Sequence, residues 1–180
     1  MLEIEKRGFL TKKKYYELIK FFNKNGRFLG DDDKDVVYYI FNNKLLKAVH
    51  NISKKNAKIS LKMNKIGDGS VFPEIEVIFN EKDYPKIKFI LDKITNPDKI
   101  MKGIQKRKNY IYRDCEFAVK WSKDWGYHFE VEKVVENKKV VAGVLREIES
   151  IVSELGINIM SEEELKNFTK KAEENANKKL

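Results

Sequence analysis

The chain has 180 residues, 42% hydrophobic and 36% charged, with 37 basic against 28 acidic side chains and a formal net charge of +9. That length supports one domain with a sizeable core, and the basic surplus points to an anionic partner: nucleic acid, phosphate or a membrane surface. No run approaches the ~20 apolar residues of a membrane span, acids rather than a signal-peptide core open the chain, and Cys115 has no second cysteine to pair with, so a soluble, cytoplasmic protein is expected.

The first segment, LEIEKRGFL (2–10), alternates as a strand, with Glu3, Glu5 and Arg7 on one face and Leu2 and Ile4 on the other. TKKKYYELIKFFNKNG (11–26) has Tyr15, Leu18, Ile19 and Phe22 at helical spacing between Thr11 and Gly26. DDDKD (31–35) reads as a solvated charged turn. VVYYIF (36–41) and LLKAVH (45–50) form a strand pair across NNK, and AKISLKMN (57–64) alternates cleanly. GDG (67–69) marks a turn before the strand PEIEVIF (73–79). DYPKIKFILDKIT (83–95) predicts a helix and NPDKIMKGI (96–104) a short second one. RKNYIY, EFAVKW and YHFEVEKVV then give three strands. NKKVVAGVLREIESIVSELG (137–156) is an amphipathic helix, and a last helix starts at the capping box Ser161 to Glu164. About eight sequential antiparallel strands with helices at the beginning, middle and end predict an α+β fold on one large sheet or barrel.

The charged face of the first strand recurs. Lys58, Ser60 and Lys62 oppose Ile59, Leu61 and Met63; Glu74 and Glu76 oppose Ile75, Val77 and Phe79; Glu116 and Lys120 oppose Phe117, Val119 and Trp121; Glu130 and Glu132 oppose Phe129 and Val131. An ordinary sheet with one wet face explains alternation, but not why the polar positions are ionised. Like charges ~4 Å apart repel by roughly 4 kcal/mol at an effective dielectric of ~20. Three Glu-x-Glu pairs therefore call for cations between them, and the lysines and arginines call for anions. A barrel with a charged interior and helices over its apolar outer face meets both demands. The carboxylates suit a hard divalent cation such as Mg²⁺ or Mn²⁺, and the basic side suits phosphate.

Glu-x-Glu-x-Arg at residues 3–7 resembles the signature of the CYTH superfamily, the triphosphate tunnel metalloenzymes. AKISLK resembles the family's basic strand, EIEVIF its acidic fifth, QKRKNY its Lys-x-Arg-x-x-Tyr region and DWGYHFEVE its penultimate strand. The resemblance implies an eight-stranded antiparallel tunnel over residues 1–158, with 159–180 as a C-terminal helix packed on it or extending from it. It implies a small-molecule triphosphate as partner, bound with Mg²⁺ or Mn²⁺ and hydrolysed. Glu3, Glu5, Glu130 and Glu132 would hold metal. Glu74 and Glu76 would act in catalysis, and Arg7, Lys47, Lys58, Lys62 and Arg107 would grip phosphate. No membrane or nucleic-acid partner is expected, and the protein would be a monomer or homodimer.

Departures from the family pattern bear on substrate. LLKAVH replaces Leu-Arg-x-Arg, leaving Lys47 as its basic candidate. Lys120 stands where an acid is expected in the seventh strand, and Gln105 where a lysine is. A class IV adenylyl cyclase and a non-catalytic phosphate- or RNA-binding module remain as alternatives. His128 reads as a surface or edge residue and Trp125 as a barrel cover. Neutralising Glu5 or Glu132 is expected to stabilise the metal-free protein by relieving carboxylate repulsion.

Overall fold

The computed structural model describes residues 2–63 and 71–177; the predicted GDG turn lies outside these. The chain runs β1 (Leu2–Phe9), α1 (Lys12–Asn25), β2 (Arg27–Asp31), β3 (Lys34–Ile40), β4 (Leu45–Asn51), β5 (Asn56–Lys62), β6 (Val71–Phe72), β7 (Glu74–Asn80), α2 (Tyr84–Ile94), β8 (Lys99–Tyr112), β9 (Cys115–Ser122), β10 (Gly126–Val135), α3 (Val141–Glu154) and α4 (Glu162–Asn177). Every described pairing is antiparallel, in the order β6-β1-β10-β9-β8-β3-β4-β5-β7, with β2 also on β8.

Two interruptions reduce these segments to eight strands. Pro73, which has no N–H to donate to a ladder, separates β6 from β7. The two extremes of the sheet are thus one broken strand, which touches β1 through Glu3↔Phe72 and β5 through Lys62↔Glu74. The sheet closes on itself there. β2 and β3 are likewise one strand with a corner at residues 32–33, both lying along the long β8.

Period two aims one face of each strand inward and the other outward. The outward face is the core. Tyr15, Leu18 and Phe22 of α1, with Val144, Ile148, Ile151 and Val152 of α3, pack on Ile4, Tyr110, Phe117, Val119, Phe129 and Val131. Each such fully buried side chain contributes about 1.5–3 kcal/mol. Thr11 caps α1 by accepting from the Lys14 amide. On the opposite side Leu91 of α2 packs with Val37, Tyr39 and Ala48, and the Tyr39 hydroxyl donates to Asp92 at 2.6 Å. Among the described residues no helix is long and apolar enough to cross a membrane.

Two expectations are corrected. Residues 99–104 are strand, not helix: the i, i+4 pair Ile100 and Ile104 mimics a helical stripe, but β8 pairs with β3 continuously from Lys99↔Ile40 to Gln105↔Lys34. The outer apolar face is also not covered everywhere, since Ile75 and Val77 of β7 are 61% and 60% exposed.

After α3 the chain returns across the end of β1. Met160 N–H donates to the Arg7 carbonyl at 2.8 Å. A Cβ at Gly8 would lie 2.0 Å from the Asn158 carbonyl oxygen, so only glycine allows this crossing. α4 follows, placing Phe168 4.7 Å from both the Phe9 and Trp125 rings and burying Thr169 against the barrel interior.

Candidate active site

The strands enclose a tunnel of about 690 Å³ whose lining includes all eleven residues singled out above, from Glu3 to Glu132. Among the described residues nine carboxylates and nine Lys or Arg side chains line it, equal in formal charge. The lining is therefore neutral in sum, and the chain's surplus of +9 lies elsewhere. What distinguishes the interior is how the two signs are segregated.

On one side is an acid-rich group. Lys62 Nζ sits 3.0 Å from Glu3, 3.2 Å from Glu5 and 3.2 Å from Glu74, so one ammonium bridges three carboxylates. Glu74 also takes Lys47 at 3.0 Å and the Ser60 hydroxyl, and Glu76 pairs with Lys58. Burial pushes Glu3 up to about 9, helped by its hydrogen bond to Glu74, while Glu74 falls because it accepts that proton and faces Lys47 and Lys62. Glu132 lies opposite Glu5 across the β1–β10 ladder; burial, with Glu5, Glu116 and Glu130 nearby, raises it to about 7. Burial acts against the Glu5 anion too, but Arg7 and Lys62 hold it below the ordinary range. Arg7 pairs with Glu5 Oε1, and Lys62 with Glu5 Oε2.

The other side is cation-rich. Glu130 is held by Lys120 at 2.7 Å, Arg7 at 3.1 Å and Arg107 at 3.3 Å. Despite burial those three charges keep it well below the usual carboxylate range. The structure thus brings Glu3, Glu5 and Glu74 to one point, with Glu132 beside Glu5, and sets Glu130 apart among cations. Lys120, where an acid was expected, is what completes this ring. Arg107 faces inward, and Lys106 and Lys108 face out to Asp33 and Asp31 at 2.7 and 2.5 Å.

Asp32 was missed. Far from a solvated turn, it is 2% exposed and receives Lys34, Lys54, Arg107, Asn51 and Asn109. The signal was present: Asp32, Lys34, Val36 and Tyr38 continue one inward face, and Asp31 and Asp33 lie on the other. His128 is also not on the surface. It is buried in the lining, its Nδ1–H donating to the Gly126 carbonyl at 3.0 Å, and burial with the Lys120 charge pushes it down to about 3. A group so far below neutrality is a poor general base.

Among the described residues no three His, Cys, Asp or Glu groups converge closely enough to hold a metal as they stand. The donor set nevertheless fits one. Glu3, Glu5, Glu74 and Glu132 are hard oxygen donors. The four carboxylates outnumber Lys62 and Lys47, the two ammonium groups paired with them, and Glu3 and Glu132 are raised towards protonation.

No family model matches the chain, and no curated protein matches it in sequence. Its fold is shared by solved structures. The PH1819 protein of Pyrococcus horikoshii superposes with a TM-score of 0.74 at 20% identity, over 91% of this chain and 97% of that one. A candidate adenylate cyclase from Vibrio parahaemolyticus gives 0.67 at 8% identity over 89% and 94%. A Hippeastrum candidate adenylyl cyclase with a dominant triphosphatase activity gives 0.59 at 14% identity over 88% and 89%. The chain shares their fold, an antiparallel tunnel of the kind the sequence resemblance implied. At these identities the likeness establishes the architecture, and the chemistry of the tunnel has to be argued from its own side chains.

Proposed function

We propose that the tunnel binds a triphosphate with Mg²⁺ or Mn²⁺ and hydrolyses it. The observation that carries this is the segregation of charge: a ring of Arg7, Arg107 and Lys120 about Glu130 beside a group of Glu3, Glu5 and Glu74 about Lys62, with Glu132 opposite Glu5. Phosphate oxygens match the first group and a hard cation the second. A cation-only basket would suit free phosphate, and an acid-only one would suit metal alone; the pair suits a metal-bearing phosphate chain.

In this reading Arg7 and Arg107 supply forked donors to the phosphate chain, with Lys120, Lys47, Lys58 and Lys62 adding point charges along it. Glu3, Glu5 and Glu132 hold the divalent ion, which when bound neutralises developing charge on the phosphate oxygens. Glu74, ionised by its neighbours, and Glu76, the next inward residue of the strand, orient the attacking water. Water adds to the terminal phosphorus, the bridging P–O bond breaks, and orthophosphate leaves with the shortened chain. Positioning and charge neutralisation supply most of such a barrier reduction. The substrate is a small molecule, so neither membrane nor nucleic acid is needed as partner.

The test is product analysis by ion-exchange chromatography after incubation with tripolyphosphate, ATP or thiamine triphosphate, in Mg²⁺, Mn²⁺ or EDTA. Metal-dependent release of orthophosphate is the expected result. Cyclic AMP with pyrophosphate from ATP would replace hydrolysis by cyclisation, and binding without turnover would make the tunnel a receptor.

A further inference from the structure

The corner between β2 and β3 carries a second set of cations that the triphosphate reading leaves unused. Asp32 is its centre. Lys34 Nζ lies 2.6 Å from Asp32, Lys54 Nζ 3.3 Å, Arg107 Nε 3.5 Å, Asn51 Nδ2 2.5 Å and Asn109 Nδ2 3.3 Å. These donors come from β3, β4, β8 and the turn after β4, so the corner is tied to several walls of the tunnel at once.

Arg107 belongs to both sets. Its Nη1 is 3.3 Å from Glu130, while its Nε is 2.7 Å from Asn109 Oδ1 and faces Asp32. The cation ring about Glu130 and the cation fan about Asp32 are therefore adjacent, joined through one guanidinium. Together they gather Arg7, Lys120, Arg107, Lys34 and Lys54 about Glu130 and Asp32, with Arg7 also reaching Glu5 and Arg107 lying 3.7 Å from Glu116.

The local balance about Asp32 is short of an anion. Lys34 and Lys54 share the Asp32 carboxylate with Arg107, which also reaches Glu130 and Glu116, and Lys58 adds its field at Lys34. Burial, Arg107 and Lys58 push Lys34 down to about 7 in spite of Asp32. A nearly buried ammonium in that position is costly unless a further anion arrives. If Asp32 served only to neutralise its neighbours, Lys54, whose side chain is 46% exposed, would be better solvated away from it. Instead it reaches Asp32 and joins the tunnel lining.

We propose that the Asp32 corner is an anion subsite that takes a phosphate beyond the third, gripped by Lys34 and Lys54 and oriented by Asn51. The proposal rests on the triphosphate reading and deepens it: the preferred ligand carries a fourth anionic group in line with the first three. Asp32 is a positioning residue here, fixing the two lysines without touching the ligand. The fourth group can be inorganic or can sit on the substrate's organic end.

Calorimetric titrations of the full chain with tripolyphosphate, tetrapolyphosphate and a 5′-triphosphorylated dinucleotide, each in Mg²⁺ and in EDTA, separate these cases. The expected result is tighter binding of tetrapolyphosphate or of the dinucleotide than of tripolyphosphate, by about tenfold for one added set of charge-assisted contacts. The ligand that shows the preference identifies the source of the fourth group. Lys34→Met with Lys54→Met should bring the ratio to about unity while tripolyphosphate affinity holds. Lys54→Met alone, at the half-exposed position, should lose about threefold of the preference and guards against misfolding of the double variant. Equal affinities in the wild-type chain, or a preference the lysine variants leave intact, would overturn the subsite and leave the triphosphate reading standing. Failure to bind tripolyphosphate under either condition would remove both.

Discussion

Glu132 offers a direct measure of the acid-rich group. Its carboxyl is raised from 4.5 to about 7 by burial and by Glu5, Glu116 and Glu130. Between those two pH values the folded protein holds a proton that the unfolded chain has released, so stability falls as pH rises through that window. Above it, folding carries the full cost of the buried anion. A shift of 2.5 units at about 1.4 kcal/mol each makes that cost about 3 kcal/mol. Glu132→Gln, which never ionises, should therefore gain about 3 kcal/mol over wild type at pH 8 and almost nothing at pH 4, measured by urea unfolding in EDTA. For a chain of this length the gain at pH 8 corresponds to roughly 6–12 °C in Tm. Mg²⁺ should reverse the order, stabilising wild type but not the variant. Glu5→Gln is the contrast: Arg7 and Lys62 favour its anion, so neutralising it should destabilise the metal-free protein, against the simpler expectation of general carboxylate repulsion. Parallel pH profiles for wild type and Glu132→Gln would refute the account of the site as over-supplied with carboxylates.

Lys62→Met removes the ammonium from three carboxylates at once and should cost about 3–5 kcal/mol in EDTA while tightening Mn²⁺ binding, seen by calorimetry of the metal alone. The His128 ring should stay neutral from pH 8 down to about pH 4, with no inflection near 6.5 in its NMR ring-proton shifts, because its pKa is pushed down to about 3. Gly8→Ala should lose about 1–3 kcal/mol or more by chemical denaturation, since its new methyl meets the Asn158 carbonyl.

Period two exposed most of the tunnel in advance. Wherever a strand alternated charge with apolar side chains, as from Glu3 to Arg7 or Glu130 to Glu132, the charges proved to face the interior. The pattern failed where the chain turns a corner. In DDDKD the run of like residues hid the alternation, and Asp32 was read with its outward neighbours. It failed again at residues 99–104, where Ile100 and Ile104 satisfy a helical period as well as a strand's. Partnerships were less legible than faces. That Lys62 bridges Glu3, Glu5 and Glu74, and that Glu130 is held by Lys120, Arg7 and Arg107, follows from how strands distant in sequence are registered. The burial of His128 against Trp125, which in turn packs on Phe168 of α4, depends on packing between segments that a local pattern does not join.

The neutrality of the lining divides the protein's electrostatics into two regimes. The surplus of nine positive charges belongs to the surface outside the tunnel, where its field extends about one Debye length, near 8 Å at physiological ionic strength. A polyanion meets that field first. Salt should therefore slow its arrival steeply, as for any electrostatically steered encounter. Once inside, the ligand exchanges partners with ion pairs that are largely shielded from bulk ions, so its departure should respond little to salt. Capture and retention are governed by different charges, and either could change without the other.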